Sequence, residues 1–340
     1  MPQARPIIFL AFANDRSDGI GYLRNLPDEA RRIHAALEPA RAAGLCEVVV
    51  RQNATLADIL AVFQHADYRH RIALWHYAGH ANGYQLLLED DQGQRALADA
   101  GGLADFLAQQ RGLELVFLNG CSTQPQVQGL LDAGISAVIA TAQAIDDAVA
   151  TRFAECFYQS LAGSATVRQA YNEAAATLRT MHGTEPRHFY LKSSTQENAD
   201  ERTTRQPQQS RLPWSLYTRE GATITEQWSL PQAANDPLFG LPSLPTLDLP
   251  ASPFRHLAWF RRADAPIFFG RGHQIRELYN RITDPTGAPI ILFYGQSGVG
   301  KSSLLAAGLL PRLEAAHTVR YERRDREQGV LGALAAALGL

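Results

Sequence analysis

Apolar and polar residues alternate along the first 180 residues in blocks that predict buried strands separated by helices. Runs of five to eight mostly apolar residues predict strands that are covered on both faces. These runs are IIFLAFA, CEVVV, RIALWHYA, LELVFLN and SAVIATA. Such alternation of strands and helices predicts an α/β fold with a mainly parallel sheet and flanking helices.

The segments between the strands are amphipathic and predict helices. The first is expected over 28–44, with Asp28 as its N-cap and Gly44 as its stop, and the second follows a Thr55 cap. Further helices are expected over 94–110, 146–161 and 165–179, and a short strand, YQLLLE, precedes the helix over 94–110.

Beyond residue 180 the pattern weakens and divides the chain. A polar stretch over 181–211, with a short strand near HFYLK, predicts a loop or insertion, and a strand pair around PWSLY closes the first domain. Prolines then recur through residues 231–252, which predicts a semi-extended linker. The predicted organisation is a first domain over 1–230, this linker, and a second domain over 253–340.

Composition and charge limit the functional classes. Apolar residues make up 46% of the 340 residues, the net charge is −2, and there is no basic block, so neither nucleic acid nor a membrane is an expected partner. No apolar run reaches the roughly 20 residues of a membrane span, and the N-terminus reads as a strand and not as a signal peptide. Three cysteines are too few for a disulfide framework, so we expect a cytoplasmic protein.

Two of the predicted strands end in reactive side chains, His80 and Cys121. The carboxyl ends of parallel strands meet at one edge of a sheet, where a histidine can act as general acid/base for a cysteine nucleophile. The backbone N–H groups of Cys121 and Ala81 are the candidates for an oxyanion hole. The alternative is that each side chain only contributes to packing, as we expect for His76, Cys46 and Cys156. Glu29 and Arg31 on the first helix are expected to be solvated.

The segments HYAGH, LNGCST and AVIATAQAIDDAVATRF resemble the CHAT domains, a branch of the caspase-like clan of cysteine peptidases. The resemblance covers roughly residues 5–230 and implies a caspase-like sheet, a His80/Cys121 dyad and a protein substrate. Ala81 stands where the family usually has glycine. The resemblance also implies that Asp146 and Asp147 lie near the specificity pocket, whereas the simpler interpretation is that Asp146 caps the next helix.

The second domain contains a phosphate-loop signature after an apolar strand and before a helix. Its nucleotide-binding residues are predicted to be Gly295, Gln296, Ser297, Gly298, Val299, Gly300, Lys301, Ser302 and Ser303. Lys301 is expected to reach the β and γ phosphates of ATP, and Ser302 to bind Mg²⁺.

The phosphate loop, FFGRGHQIRELYNRI before it and AGLLPRL after it resemble the STAND class of signalling NTPases. That resemblance implies an effector domain controlled by nucleotide-dependent assembly into a homo-oligomer. Arg271 either approaches the nucleotide or packs within the domain. Only 39 residues follow Lys301, with a strand-like TVRYERR but no apolar strand ending in Asp or Glu, so we expect a partial P-loop domain that hydrolyses ATP poorly.

Three functions are consistent with these motifs. The first is a cysteine endopeptidase controlled by the NTPase module, in bacterial defence or programmed cell death as the resemblance implies. The second is a binding module or scaffold with a catalytically dead caspase-like fold. The third is a plain ATPase whose N-terminal domain recruits partners.

Overall fold

The computed structural model separates the chain into two compact units, Met1–Gly240 and Leu241–Leu340. It describes residues 5–14, 23–90, 95–182, 212–222 and 227–242, then 244–245, 247–250, 252, 254, 258–314 and 316–322, and after these residues 329, 331–332 and 335. Each unit is considered by itself below.

A six-stranded sheet forms the centre of the first unit, and it is parallel except at one edge. Its strands are β1 (Ile7–Ala13), β2 (Glu47–Gln52), β3 (Ile72–Gly79), β6 (Leu115–Asn119), β7 (Ala137–Thr141) and β8 (Trp214–Thr218). Their spatial order is β2-β1-β3-β6-β7-β8, and β8 runs antiparallel to β7. A separate antiparallel hairpin is formed by β4 (Gln85–Glu89) and β5 (Arg95–Asp99). The predicted mainly parallel sheet with flanking helices is therefore confirmed.

Helices cover both faces of this sheet. They are α1 (Leu26–Ala42), α2 (Leu56–Gln64), α3 (Ala100–Leu107), α4 (Val127–Asp132), α5 (Asp147–Ala162), α6 (Val167–His182) and α7 (Leu230–Asn235). Successive residues of a strand point to opposite faces, so Ile8 and Leu10 of β1 pack with α1, α5 and α6, while Ile7 and Phe9 pack with α2 and α3. This burial on both faces explains why the strands are apolar without a break.

The sequence predicts most of these elements, with local errors. Thr55 caps α2 as expected, since its hydroxyl accepts the Asp58 N–H at 3.1 Å. Helix α1, however, begins at Leu26, and Asp28 lies in its first turn, where it pairs with Arg31 and Arg32. The helix predicted over 94–110 is wrong at its start, because residues 95–99 form β5 against β4.

The end of the first unit also differs from the prediction. Only one strand, β8, is found in the described part of the PWSLY region, and residues 183–211, with the HFYLK segment, lie outside the described residues. Residues 231–240 were expected to be linker, but α7 and the following turn bury Leu230, Ala233 and Phe239 in the core beside α5 and α6. Apolar spacing within the proline-containing stretch therefore overrides its linker-like composition.

The regular secondary structure in the described part of the second unit is helical. It contains a 3₁₀ turn (Arg262–Ile267), α8 (Gly272–Thr283) and α9 (Lys301–Ser303), which continues through a π-helical stretch (Leu304–Leu309) into α10 (Leu310–Leu313). The strand predicted before the phosphate loop is not formed, and Ile290, Leu292 and Tyr294 are 82–84% exposed. The described part of TVRYERR, 318–322, is not a strand either. Strands need hydrogen-bonded neighbours, and none pairs with these segments among the described residues.

Across the described residues, no helix has both the length and the apolar character needed to cross a membrane.

Candidate active site

His80 and Cys121 follow two central strands that pair with each other. Strands β3 and β6 pair in parallel from Leu74 opposite Leu115 to Ala78 opposite Asn119. The pairing ends there, and His80 and Cys121 each follow two residues later, past the same edge of the sheet. Both residues are partly exposed, whereas the strands that precede them are buried. The structure thus brings the two candidate side chains to one solvent-accessible edge of the sheet.

Two glycines allow these strand ends to approach closely. A Cβ on Gly120 would lie 2.7 Å from the Gly79 carbonyl oxygen and 2.9 Å from the Ala81 Cβ. A Cβ on Gly79 would lie 2.8 Å from the Tyr77 hydroxyl and would also overlap the Ala13 carbonyl oxygen. Real side chains essentially never make contacts this short, so both positions require glycine for the backbone to pass.

The turn after Cys121 is held by hydrogen bonds to β7. Ser122 has a left-handed backbone (φ 54°), and its N–H donates to the Gln143 carbonyl at 3.3 Å. Thr123 is fully buried, and its hydroxyl accepts the Thr141 N–H at 3.0 Å. The Thr141 hydroxyl donates to the Gly120 carbonyl. No sequence pattern predicts the contact of these two threonines, because it depends on the pairing of β6 with β7.

The turn after His80 is also fixed. The Tyr77 hydroxyl donates to the His80 carbonyl at 2.7 Å, and the Leu87 N–H donates to the same oxygen at 3.0 Å. Ala81 forms an antiparallel bridge with Leu86 in which the flanking residues make the hydrogen bonds. In such a pair the N–H of the central residue points away from the partner strand. The Ala81 N–H is therefore directed away from β4.

Burial makes the Cys121 thiol a weak acid in this structure. Burial raises the pKa of the Cys121 thiol, and the nearby Asp147 carboxylate raises it further, against a lowering contribution from the backbone at Ile145. This environment therefore favours the protonated thiol over the thiolate. The other two thiols, Cys46 and Cys156, are buried as expected, and burial raises the pKa of Cys46 to about 11.

Two acidic residues near the dyad have separate roles. Asp146 is the N-cap of α5, where one carboxylate oxygen accepts the N–H groups of Ala148 and Val149 at 3.0 and 3.1 Å, so the capping interpretation is confirmed. Asp147 accepts the Asn25 N–H at 3.1 Å. Burial raises the pKa of Asp147, and Glu29 adds to this effect, while the charge of His80 opposes it. Asp147 therefore lies within electrostatic reach of both His80 and Cys121.

Glu29 is buried beneath the candidate site, although it was expected to be solvated. It is only 1% exposed, and its carboxylate contacts the imidazole of His76 and the side-chain amide of Asn119. His76 is fully buried, as predicted. Helical spacing in the sequence indicates this burial, because Glu29 lies on the same face of α1 as Leu26 and Ile33.

The phosphate loop has the backbone that its glycines permit. Gly298 and Gly300 are left-handed, with φ of 87° and 88°, and the helix begins directly after them at Lys301. The Lys301 ammonium donates to the carbonyls of Gly295 and Gln296 at 2.7 and 2.6 Å. The loop residues therefore fit a phosphate group, with N–H groups at a helix start and a cation folded over the loop.

Two further residues contact this loop. One guanidinium nitrogen of Arg271 lies 3.4 Å from the Val299 carbonyl, which places Arg271 beside the phosphate loop. The hydroxyl of Ser303 accepts the Phe260 N–H at 3.1 Å, and Ser303 is 7% exposed. The Ser303 side chain thus takes part in packing, while Ser302 is more exposed.

Comparison with known families is consistent with both halves of this description. A model of the CHAT domain matches residues 2–222, which is more than half of the chain. The chain belongs to the CHAT domain family. A second model, Novel STAND NTPase 1, matches residues 253–335. Both resemblances read from the sequence are confirmed, and a CHAT domain is followed by a STAND NTPase region. No curated protein sequence gives a significant match.

Solved structures similar to this CHAT protein are distant. A secreted C11 cysteine protease from Bacteroides thetaiotaomicron, solved with an irreversible peptide inhibitor, aligns with 52% of this chain at 11% identity and a TM-score of 0.40. The Drosophila initiator caspase Dronc aligns with 52% at 10% identity and a TM-score of 0.36, over 75% of its own chain. Chaetomium thermophilum Raptor aligns with 47% at 9% identity and a TM-score of 0.34, over 18% of its own chain. The chain spans 58% of the C11 protease.

Proposed function

We propose that the CHAT domain is a cysteine endopeptidase in which Cys121 is the nucleophile and His80 the general acid/base. The observation that supports this proposal is the register of β3 with β6, because His80 and Cys121 each follow the last paired residues by two positions and both are partly exposed. Neither side chain belongs to the uninterrupted buried part of its strand. A protein or peptide is the proposed substrate.

The first chemical step takes account of the raised pKa of the Cys121 thiol. Because burial and Asp147 raise the pKa of the Cys121 thiol, its proton must pass to His80 as the sulfur attacks the peptide carbonyl carbon. The carbonyl π electrons move to oxygen, which becomes the oxyanion. Substrate binding that excludes water and aligns His80 would promote this transfer.

The oxyanion is proposed to be held by the backbone N–H groups of Cys121 and Ala81. The orientation of the Ala81 N–H away from β4 supports that assignment. The C–N bond then breaks, His80 donates its proton to the leaving amine, and a thioester to Cys121 remains. Water attacks the thioester, its proton passes to His80, and the acid product leaves as the thiol is restored.

Asp147 is the proposed specificity residue, with a preference for a basic residue before the scissile bond. Its carboxylate is partly buried and acts electrostatically on both members of the dyad. Asp146 is already used as a helix cap, which leaves Asp147 as the carboxylate better placed to meet a substrate.

The STAND region is proposed to bind ATP with Mg²⁺. The loop N–H groups and Lys301 would hold the phosphates, Ser302 would bind the metal ion, and Arg271 would lie beside the loop. Bound ATP would supply negatively charged phosphate groups with which the loop N–H groups and Lys301 interact. The combination of CHAT and STAND regions supports control of the peptidase by nucleotide-dependent homo-oligomerisation in the cytoplasm, in bacterial defence or programmed cell death.

The peptidase is tested with an arginine-containing peptidyl acyloxymethyl ketone, a probe that alkylates a catalytic thiol. The full chain is treated with the probe, with and without ATP, and the modified residue is located by mass spectrometry. We expect labelling at Cys121, its complete loss in Cys121→Ala, and at least about tenfold slower labelling in His80→Ala, because general-base catalysis contributes on the order of 100-fold or more.

Cys46→Ala is the matched control, because it removes a thiol that is buried and has a raised pKa. It should label like the wild-type chain. If a folded wild-type chain is labelled no faster than Cys121→Ala, the peptidase proposal is wrong and the scaffold function gains support.

A further inference from the structure

A cluster of buried polar side chains lies directly below the proposed dyad. Its members come from four different elements, and each is at most 5% exposed. They are Glu29 of α1, His76 of β3, Asn119 of β6 and Trp214 of β8. None of them takes part in the chemical steps described above.

The Glu29 carboxylate joins the two strands that carry the dyad. One of its oxygens lies 3.2 Å from the His76 Nε2 and accepts the Asn119 Nδ2–H at 2.8 Å. His76 precedes His80 by four residues on β3, and Asn119 precedes Cys121 by two residues at the end of β6. A single oxygen thus contacts side chains of both strands, close to the reactive residues in sequence.

The amide of Asn119 is held at both ends, which fixes its orientation. Its Oδ1 accepts the Trp214 Nε1–H at 2.9 Å, while its Nδ2 donates to Glu29. The Trp214 ring stacks on Phe153 of α5, with ring centroids 4.5 Å apart and planes within 9° of parallel. The chain leading to Cys121 is therefore connected through side chains to α1, α5 and β8.

Stability alone is a weak explanation for this arrangement. A buried carboxylate loses its hydration, and an apolar residue of similar volume often stabilises a core as well or better. Glu29 occupies a position on the apolar face of α1 that Leu26 and Ile33 share. The His76 Nδ1 is also buried without a hydrogen-bond partner, so the cluster is not optimised for folding.

We propose that Glu29 is a positioning residue, which holds the ends of β3 and β6 at the separation that lets His80 act on Cys121. This inference rests on the proposed peptidase function. Glu29 touches no substrate in this role and acts only through His76 and Asn119.

The test measures the reactivity of Cys121 itself, so no natural substrate is needed. The rate of Cys121 alkylation by iodoacetamide in the full chain is measured from pH 5 to 10, with site-resolved mass spectrometry. The wild type and His80→Ala define the upper and lower limits of the alkylation rate. The loss of His80 should remove the low-pH part of the profile of rate against pH. Glu29→Ala should slow alkylation at pH 7 by at least about tenfold, towards the His80→Ala rate, as expected for a misplaced dyad.

The conservative variant separates positioning from charge. Glu29→Gln retains an oxygen that can accept from both partners, and its rate should stay within about threefold of wild type. Glu38→Ala is the matched control, because Glu38 lies on the same helix and is an exposed partner of Arg41. It should have no effect on the profile.

The outcomes distinguish the two proposals. Equal profiles for the wild type and His80→Ala would overturn the peptidase function and this inference with it. Slower alkylation in His80→Ala but wild-type alkylation in a folded Glu29→Ala would overturn the inference alone. If Glu29→Ala fails to fold, as judged by circular dichroism, Trp214→Phe decides. This substitution removes the N–H that Asn119 accepts, together with part of the buried ring system. We expect a slower low-pH rate, and an unchanged profile overturns the inference.

Discussion

Apolar segments lead into a functional loop in both units, but only one of these segments is a strand. In the first unit β6, which precedes Cys121, is buried at every residue and paired on both sides. In the second unit the segment before the phosphate loop exposes Ile290, Leu292 and Tyr294 and has no sheet neighbour among the described residues. Similar apolar patterns therefore give different structures.

The difference shows which parts of a site are determined locally. The phosphate loop takes its form from its own residues, because Gly298 and Gly300 adopt left-handed conformations and Lys301 folds back on the loop carbonyls. The proposed dyad has no such local determinant. Any approach of His80 to Cys121 depends on the pairing of β3 with β6, which is accompanied by glycines at the ends of these strands.

The largest expected effect tests this dependence on strand packing. Gly79→Ala should lower the free energy of unfolding of the first unit by about 3 kcal/mol, because the new methyl group overlaps the Ala13 carbonyl and has no space to relax. Denaturant unfolding followed by the fluorescence of the buried Trp75 and Trp214 measures it. Cys121 alkylation should also slow.

Gly298→Ala is the matched control in the second unit. Its backbone is left-handed, but nothing lies within 4 Å of the added methyl group, so it should cost only about 1–2 kcal/mol and leave the tryptophan signal of the first unit unchanged. A Gly79→Ala variant as stable as wild type would contradict the close approach of the strand ends.

The next effect concerns the second unit and its proposed ligand. At an ATP concentration about 100 times the dissociation constant, Mg·ATP should stabilise the unit that binds it by about 2.7 kcal/mol, and Lys301→Ala should abolish this gain. The measurement is the thermal unfolding midpoint across an ATP titration. Arg281→Ala is the control, since Arg281 pairs with Glu277 on the exposed side of α8. Equal stabilisation of wild type and Lys301→Ala would contradict nucleotide binding at the loop.

The sequence predicts more of the fold than of the environment of the site. Strand positions are recovered well, because strands buried on both faces are apolar without a break. Strand β5 is missed, since its five residues continue directly into α3 and read as one helical segment. The phosphate-loop strand is predicted from its apolar residues, but a strand also needs partners, which no local pattern supplies.

The sequence predicts the two candidate residues of the site, but it does not predict the buried side chains that pack beneath them. His80 and Cys121 follow from strand ends, and their register offset of 41 residues is the same as that of the pairs along β3 and β6. Helical spacing predicts the burial of Glu29 only if a carboxylate is allowed on the apolar face of α1. The contacts of Asn119 with Glu29 and Trp214 join residues 90 and 95 positions apart, which sequence reasoning has no means to pair.

The smallest predicted effect concerns the charge beside the dyad. Because the Asp147 carboxylate raises the pKa of the Cys121 thiol, Asp147→Asn should lower that pKa and move the alkylation profile to lower pH. The thiolate is the reactive form, so alkylation by iodoacetamide at pH 7 should become about threefold faster. Cleavage of peptides with arginine before the scissile bond should instead slow by at least about tenfold, since the proposed partner of the arginine is lost.

Asp146→Asn separates this effect from a general loss of negative charge. Asparagine caps helices about as well as aspartate, so the start of α5 is preserved while one carboxylate is removed. The alkylation profile of this variant should match wild type, because Asp146 does not act on the Cys121 thiol as Asp147 does. If both substitutions shift the profile equally, the effect is not specific to Asp147. If Asp147→Asn speeds alkylation but leaves arginine cleavage intact, Asp147 tunes the thiol without selecting the substrate, and the specificity proposal is wrong.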